Sequence, residues 1–228
     1  MDKRPRYRHE LKYSISYFDY LVMRGRLKAV MQSDPHTVDG KYKTRSIYFD
    51  NYNDKALREK TDGVQKREKF RIRYYNDDFS VISLEKKMKI NNLCMKASAR
   101  ISEEECRKIL NGDIEWMTKH ENGLIREFYA KLNFQQLRPK VLVSYTREPY
   151  IFTAGNVRVT FDMDIKSTVF HKHFLEEDVL DIGVADENGK MILEVKYDDF
   201  LPEVISDIIQ IDQTQTAYSK YGACRRFG

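Results

Sequence analysis

Positively charged side chains stand at every second position in several segments of this 228-residue sequence. The clearest case is REKFRIRYY, in which Lys69, Arg71 and Arg73 alternate with apolar and aromatic residues. Side chains two apart in a β-strand point the same way, so these three cations would share one face at spacings of roughly 7 Å. Guanidinium and ammonium groups in such a row bind phosphate oxygens. The pattern therefore indicates a binding surface for a polyanion.

Other segments combine cations with carboxylates in the same two-residue pattern. The predicted same-face groups are Arg8, Glu10 and Lys12; Glu85 and Lys87; Lys96, Ser98 and Arg100; Tyr145 and Arg147; Arg158, Thr160, Asp162 and Asp164; and Glu194 and Lys196. Carboxylate oxygens are ligands that Mg²⁺ and Mn²⁺ prefer, and such an ion can bridge protein to phosphate. We therefore interpret the carboxylates as ligands for a hard divalent ion among the cations.

An ordinary antiparallel sheet, with an apolar face in the core and a charged face in water, gives the same alternation. Two observations favour a shared interior instead. Nearly every charged face mixes cations with a carboxylate, and amphipathic helical segments are available to cover the apolar faces. Unpaired charges in a dry interior would cost several kcal/mol per ion, so such an interior must be wet and must hold an anion. The sequence therefore predicts a tunnel for a polyanion.

Strands dominate the predicted secondary structure. The predicted strands cover residues 6–13, 44–50, 67–75, 80–88, 93–101, 140–146, 157–164 and 191–197, with one more over 179–185. The predicted helices cover residues 18–31, 121–135 and 202–211; another begins at the capping box of Ser102 and Glu105, a helical turn covers 54–60, and 214–226 is helical or irregular. Helices do not separate the strands as in βαβ units, so we predict an α+β fold. Its sheet is an antiparallel barrel or tunnel of about eight strands with helices packed outside, formed by residues 1–228 as a single domain.

Composition narrows the class of protein further. The 40 Lys and Arg residues exceed the 35 Asp and Glu residues by a net charge of +5, which is compatible with an anionic partner but is weak evidence alone. The three cysteines, Cys94, Cys106 and Cys224, are far apart. This spacing disfavours a disulfide framework or a structural zinc site and predicts a reducing environment. The sequence lacks an apolar run of about 18 residues and a signal peptide, so we predict a cytoplasmic chain without a membrane span.

Nine segments resemble, in order, those of one known family. They are RHELKY (8–13), TRSIYFD (44–50), KFRIRYY (69–75), SLEKK (83–87), KASAR (96–100), VSYTREPY (143–150), VRVTFDMDI (157–165), ILEVKY (192–197) and SKYGACR (219–225). Together they cover nearly the whole chain and resemble the VTC (vacuolar transporter chaperone) polyphosphate-polymerase domain, a member of the triphosphate tunnel metalloenzymes. The resemblance implies a tunnel of antiparallel strands with helices outside.

The resemblance also implies roles for individual residues. The implied catalytic cations are Lys12, Arg71, Arg73, Lys87, Lys96, Arg147 and Arg158. The implied substrate-binding residues are Tyr145, Arg100, Lys196, Ser219 and Lys220. Glu194 matches the metal-binding glutamate of the family, with Glu10 or Glu85 as further ligands. Strand alternation favours Lys87 rather than its neighbour Lys86 as the inward-facing lysine.

The reaction implied by the resemblance is transfer of the γ-phosphoryl group of ATP to inorganic phosphate or polyphosphate, assisted by Mn²⁺ or Mg²⁺. Other tunnel enzymes open with a Glu-x-Glu-x-Lys strand, whereas Arg8 replaces the first glutamate here. This departure favours the polymerase branch over the adenylate cyclase and thiamine triphosphatase branch. Eukaryotic members add membrane segments and a phosphate-sensing domain; this sequence contains neither, which argues against coupled translocation. A membrane partner and the oligomeric state stay open.

Three other functions remain open. A hydrolase would use the same tunnel with water as the acceptor, and its residues would be nearly identical. A non-catalytic polyphosphate sensor would keep the cations and tolerate loss of Glu194, whose presence favours catalysis. A nucleic-acid binder would stack bases on tyrosines beside the cations, but Tyr74 falls on the apolar face, so we expect no nucleic-acid partner.

Further motifs carry less weight. His171 and His173 flank Lys172 in a charged segment, where histidines are usually solvated rather than bound to a metal. The sequence contains no GxxxxGK phosphate-binding loop and no GxSxG nucleophile elbow, which disfavours P-loop and α/β-hydrolase chemistry.

Overall fold

The alternating segments form long antiparallel strands in the computed structural model, which describes residues 7–91, 93–168, 173–176, 182–183, 191–210 and 215–226. The strands in these residues are β1 His9–Ile15, β2 Gln32–Ser33, β3 Tyr42–Asp50, β4 Lys66–Tyr75, β5 Asp78–Ile90, β6 Leu93–Ile101, β7 Arg138–Phe152, β8 Val157–Thr168, β9 Ile182–Gly183 and β10 Met191–Tyr197. The helices are α1 Tyr17–Val30, α2 Lys55–Thr61, α3 Glu103–Asn111, α4 Gly123–Phe134, α5 Glu203–Ile209 and α6 Lys220–Cys224, with short 3₁₀ helices at Glu115–Lys119 and Ala154–Asn156.

The strands make one antiparallel sheet in the order β1-β10-β8-β7-β3-β4-β5-β6, with β2 beside β7 and β9 beside β8. The two edge strands of this order meet at a single bridge between Arg8 and Cys94, whose backbone N–H groups donate to each other's carbonyl oxygens at 3.0 Å. The predicted α+β class and antiparallel tunnel are therefore confirmed. The sheet curls into a tunnel, but one bridge rather than a continuous ladder joins its seam, so it is not a fully closed barrel.

Helices cover the outer, apolar face of the curled sheet, as the sequence predicts. On one side, Phe128 of α4 packs against Phe49 and Phe70, with ring centroids 5.0 and 5.1 Å apart. On the other side, α1 and α5 pack on the outer residues of β8 and β10. The inner face is thereby left to the charged residues.

Capping residues fix where two of these helices begin. Ser102 and Glu105 form the predicted capping box at the start of α3, and Ser16 with Asp19 forms another at the start of α1. None of the helices in the described residues is long and apolar enough to cross a membrane. Most of the predicted strand over 179–185 lies outside the described residues; the described part, 182–183, forms β9. His171 and Lys172 also lie outside the described residues.

A bulge in β8 changes the predicted face of one carboxylate. The pairing of β7 with β8 shifts register between Ser144 and Thr146, and Asp164 has a φ of 53°. Beyond this point the alternation is inverted, so Ile165 packs on the inner face and Asp164 is exposed. The prediction that Asp164 shares the inner face with Asp162 is therefore wrong.

The short helix α6 lies against the inner face of the sheet. Tyr221 is 2% exposed, stacks on Tyr48 at 5.2 Å and donates a hydrogen bond to Asp50 Oδ2 at 2.7 Å. Its neighbour Lys220 is directed toward Asp162 on β8. Helix α6 thus fills part of the space inside the tunnel and brings a C-terminal cation to the charged strands.

Candidate active site

The inner strand faces enclose a cavity of about 730 Å³, called here the main cavity. Eleven Lys and Arg residues line it, against five Asp and Glu residues. Fourteen of the fifteen predicted site residues are among its lining residues: Glu10, Lys12, Arg71, Arg73, Glu85, Lys87, Lys96, Tyr145, Arg147, Arg158, Glu194, Lys196, Ser219 and Lys220. The tertiary fold therefore gathers side chains that are up to 210 positions apart in sequence, from Glu10 to Lys220.

Arg100 is the predicted site residue that lies elsewhere. It shares its strand face with Lys96, but it stands four residues further along β6, which places it about 13 Å away along the strand. Its side chain is exposed and donates to the Ser80 carbonyl oxygen at 2.7 Å. Strand alternation gave the right face for Arg100 but not the length of the cavity.

Strand alternation also separates the two adjacent lysines of β5. Lys87 points inward and donates to both carboxylate oxygens of Glu10, at 2.8 and 2.6 Å. Lys86 points outward, where it contacts Glu68 and Glu127 and lies 5.6 Å from the Phe70 ring centroid. The preference for Lys87 is confirmed.

The wall formed by strand β4, called here the β4 wall, presents Lys69, Arg71 and Arg73. Arg73 is 4% exposed and donates to neutral hydroxyls, to Ser46 Oγ at 2.8 Å and to the Tyr145 hydroxyl at 3.0 Å. Among the described residues, no carboxylate forms an ion pair with Arg73 or with Lys69. Within the described part of the chain, two buried or half-buried cations of this wall therefore have no carboxylate in ion-pair contact, and a bound phosphate would supply such a partner.

Lys69 and Tyr48 perturb each other's protonation in this wall. The Lys69 ammonium lies 5.4 Å from the Tyr48 ring centroid, and Arg71 donates to the Tyr48 hydroxyl at 2.9 Å. Burial, together with Lys87, Lys12 and Arg71, lowers the pKa of Lys69 to about 7, against the opposing effect of Tyr48. Burial alone would raise the pKa of Tyr48, but Arg71, Lys69 and Arg73 outweigh it and lower the pKa to about 7. Burial and the neighbouring cations thus favour the neutral form of Lys69, and the cations favour the ionised form of Tyr48.

The opposite wall, called here the carboxylate wall, presents Glu10 on β1, Asp162 on β8 and Glu194 on β10. The Lys12 ammonium lies 3.1 Å from Glu10 Oε1 and 3.5 Å from Glu194 Oε2, so it bridges the two glutamates. Arg147 donates two hydrogen bonds to Asp162, at 2.6 and 2.8 Å. Every carboxylate of this wall is therefore held by at least one cation.

The carboxylates of this wall are ionised despite their burial. Burial would raise the pKa of Glu10, but Lys12 and Lys87 outweigh it and hold the pKa far below its usual value. The pKa of Glu194 is likewise lowered because Lys196, Lys12 and Arg147 outweigh the effect of burial. From the residues that the structure describes, Glu194 Oε1 accepts no well-aligned hydrogen bond, although the Lys196 ammonium is in ion-pair contact with it.

The Glu10 and Glu194 pair fits a divalent ion. Glu85, the third metal ligand implied by the family resemblance, does not join this pair. Mg²⁺ is commonly held by one or two carboxylates, with phosphate oxygens and water completing its coordination. Lys12 already shows that a cation between Glu10 and Glu194 reaches both carboxylates. Glu85 is engaged separately by Arg71 at 2.7 Å and Lys96 at 2.9 Å, and the described residues contain no group of three potential metal ligands.

Tyr145 occupies a central position among the cations. The centre of its ring lies 4.7 Å from Lys220 Nζ, 5.3 Å from Arg147 Cζ and 5.8 Å from Arg73 Cζ. Ser219 is the N-cap of α6, and its Oγ accepts from Gly222 N at 3.3 Å. Cation–π contacts and helix capping therefore position the aromatic and C-terminal residues of the site.

The site also contains residues that were not selected from the sequence. Asp162 is fully buried and holds both Arg147 and Lys220. Asp34, in the loop before β3, accepts from Arg158 at 2.7 Å. The two-residue alternation already placed Lys69 and Asp162 on charged faces. Their importance to the site becomes visible only from the residues that they contact in the fold. No sequence pattern connects Asp34 with Arg158.

Tyr74 lies on the apolar face of the sheet, as predicted from the sequence. Tyr74 is fully buried on the outer face and donates to the Phe174 carbonyl oxygen at 2.6 Å. It is therefore not available to stack on a base.

Comparison with known proteins gives a family and a fold. No curated protein is significantly similar in sequence to this chain. A candidate adenylyl cyclase from Hippeastrum with a dominant triphosphatase activity has a similar structure, with a TM-score of 0.56, 12% identity, and coverage of 97% of this chain and 96% of that one. A candidate adenylate cyclase from Bacillus halodurans matches with a TM-score of 0.51, 13% identity, and coverage of 90% and 86%. At these identities the likeness concerns the fold, which these proteins share with this chain.

The family follows from the sequence itself. The model of the VTC domain matches residues 7–227, which is nearly the whole chain. This match confirms the resemblance that the strand motifs indicate, and the chain belongs to the VTC domain family.

Proposed function

We propose that this protein transfers the γ-phosphoryl group of ATP to inorganic phosphate or polyphosphate within the main cavity. The observation that carries this proposal is the arrangement of two unlike walls. In the strand order, β4 and β10 are four positions apart in a ring of eight, so the β4 wall faces the Glu10 and Glu194 pair across the cavity. The cations of the β4 wall would bind the phosphate oxygens, and the two carboxylates would bind the divalent cation. A metal-bound triphosphate requires both kinds of contact.

Phosphoryl transfer needs positioning and charge stabilisation more than covalent chemistry from the protein. In this proposal Arg71, Arg73 and Arg147 bind nonbridging phosphate oxygens through their guanidinium groups. Lys12, Lys69, Lys87 and Lys96 add positive charge along the phosphate chain, and Tyr145 orients Arg73 through its hydroxyl. Apart from Lys12, these groups are already in place in the fold, so they would stabilise developing negative charge without reorganisation.

Glu194 and Glu10 are the residues proposed to hold Mn²⁺ or Mg²⁺. A divalent ion there supplies charge neutralisation at the phosphate oxygens. Lys12 now contacts both carboxylates, and it would give up at least one of these contacts to such an ion, because both cations compete for the same oxygens.

A triphosphatase is the second candidate function. It is favoured by the structural likeness to the Hippeastrum protein, whose dominant activity is that of a triphosphatase. The same cavity residues serve both reactions, and only the acceptor differs: water for the hydrolase, phosphate or polyphosphate for the polymerase. The replacement of the first glutamate by Arg8 supports the polymerase, and membership of the VTC domain family supports it as well.

Incubation of the purified protein with ATP and Mn²⁺, with and without a pyrophosphate primer, separates these functions. The polymerase is expected to yield ADP and long polyphosphate, which a gel stained with a metachromatic dye detects. Orthophosphate without polymer would instead establish the triphosphatase. Tight binding of polyphosphate without turnover, under any metal condition, would contradict both and leave a binding module.

A further inference from the structure

A second cavity adjoins the main cavity at the far end of strands β4 and β5. Its volume is about 330 Å³, and the lining residues that it shares with the main cavity are Glu10, Lys12, Lys69, Lys87, Cys94 and Ser219. Strand β4 lines both cavities, from Arg67 in the second to Tyr75 in the main one, which corresponds to about 26 Å of extended chain. The two cavities therefore follow one another along the axis of β4.

The second cavity contributes three cations of its own. They are Lys60 on α2, Arg67 on β4 and Lys89 on β5, and all three are half-buried. Among the described residues, none of the three forms an ion pair with a carboxylate. The two acidic lining residues are held by other lysines: Glu10 by Lys12 and Lys87, which line both cavities, and Glu68 by Lys86 and Lys131.

Mutual repulsion acts on this cluster. Burial lowers the pKa of Lys60, and Arg67, Lys12, Arg226 and Lys89 lower it further, with no opposing acidic neighbour among the main influences. Three cations held together from three separate elements, none of them in an ion pair among the described residues, gain stability when a multivalent anion binds.

We propose that Lys60, Arg67 and Lys89 form a second anion-binding subsite, which takes the distal phosphates of an inorganic polyphosphate whose terminal phosphates occupy the main cavity. The inference rests on the proposed function and adds a preference for chain length to it. A long chain spans both cavities, so its distal phosphates reach the second subsite at high effective concentration. Three phosphates occupy the main cavity alone and gain nothing from the second.

The test compares two ligands on three proteins by isothermal titration calorimetry at constant ionic strength. The ligands are tripolyphosphate and a long-chain inorganic polyphosphate. The proteins are the wild type, the double variant Lys60→Gln with Lys89→Gln, and the matched control Lys55→Gln. Lys55 lies on the same helix as Lys60, but it is exposed, pairs with Glu59 and lines neither the main cavity nor the second cavity.

The double variant is expected to weaken binding of the long chain about tenfold, equivalent to about 1.4 kcal/mol. Its Kd for tripolyphosphate should stay within about twofold of the wild type, which also shows that the variant is folded. Lys55→Gln should change neither Kd.

Two results overturn the second subsite while leaving the proposed function intact. One is an unchanged Kd for the long chain in the double variant, and the other is an equal loss for both ligands. If the wild type binds neither ligand, the proposed function itself fails, and the subsite that rests on it fails with it.

Discussion

The two walls of the main cavity hold their charges in opposite ways. On the carboxylate wall, Glu10, Asp162 and Glu194 are each paired, and cations lower the pKa of both Glu10 and Glu194. On the β4 wall, Lys69 and Arg73 have no ion-pair contact with a carboxylate of the described residues, and the pKa of Lys69 falls to about 7. The carboxylate wall is an internally balanced network, whereas on the β4 wall only Arg71 has a carboxylate partner, Glu85, and Lys69 and Arg73 would be paired by a bound anion.

This difference separates what stabilises the fold from what binds the substrate. Removing one member of a buried, paired network leaves its partner uncompensated and destabilises the protein strongly. Removing a cation from a wall with excess positive charge relieves repulsion in the unliganded protein. Substitutions in the two walls should therefore have different effects on stability, binding and turnover.

The largest expected effect is on turnover, from Glu194→Gln on the carboxylate wall. Loss of the carboxylate should reduce metal-dependent turnover of ATP at least about a thousandfold, or about 4 kcal/mol of transition-state stabilisation. Binding of tripolyphosphate without metal should be retained, since the substitution removes a negative charge from the cavity. Steady-state kinetics with Mn²⁺ measures the first effect and calorimetry the second.

The control for this substitution is Glu127→Gln, which removes a carboxylate that contacts Lys86 on the outer face. It should keep turnover close to that of the wild type. Full metal-dependent activity in Glu194→Gln would remove Glu194 from the metal site.

The next effect is on stability, from Asp162→Asn. Asp162 is fully buried between Arg147 and Lys220, so its neutralisation leaves two buried cations without their anion. We expect the free energy of unfolding to fall by about 3 kcal/mol, measured by urea denaturation. The exposed Asp113→Asn serves as the control. A loss below about 1 kcal/mol in Asp162→Asn would show that the carboxylate wall is not the balanced network described above.

A smaller effect concerns the β4 wall and pH. Burial and neighbouring cations lower the pKa of Lys69 in the native state to about 7, against an ordinary pKa of about 10.5 in the unfolded chain. Between these values the native state binds fewer protons, so this group makes the free energy of unfolding rise with pH. Below pH 7 its destabilising effect is fully present. Lys69→Met should therefore flatten the rise in stability from pH 7 to 10, while the exposed Lys66→Met on the same strand should not.

Binding of tripolyphosphate should also depend on the protonation of Lys69. A bound phosphate favours the charged form of Lys69, so binding of tripolyphosphate at pH 8 should be coupled to proton uptake. Calorimetry in buffers of different ionisation enthalpy measures this uptake, which should be reduced in Lys69→Met, with affinity falling about tenfold, or about 1.4 kcal/mol. Unchanged affinity and unchanged uptake would mean that the phosphate chain does not contact the β4 wall.

The smallest effect is expected from Arg100→Gln. Arg100 lies outside the main cavity and its side chain donates to the Ser80 carbonyl oxygen. Turnover and the Kd for tripolyphosphate should both stay within about twofold of the wild type, because solvent and salt screen one exposed charge outside the cavity. A tenfold loss of turnover would place the substrate beyond the mouth of the cavity.

Local periodicity predicted much of this fold and site. The two-residue alternation identified the inner faces of most strands, including Lys87 rather than Lys86, and capping residues located the start of α3. These features depend on neighbours in sequence, where the pattern is visible.

The errors arose where tertiary geometry decides the outcome. A bulge reversed the face of Asp164, and the length of the cavity excluded Arg100. Glu85 shares the interior with Glu10 and Glu194 but is engaged by Arg71 and Lys96 instead. Spacing along a strand gives the direction of a side chain but not its partners across the tunnel.

A crystal structure with Mn²⁺ and tripolyphosphate tests the two-wall arrangement most directly. The account predicts an anomalous manganese peak between the carboxylates of Glu10 and Glu194, with phosphate oxygens bound by Arg71 and Arg73 on the opposite wall. A manganese peak at Glu85, or a triphosphate bound outside the main cavity, would contradict it.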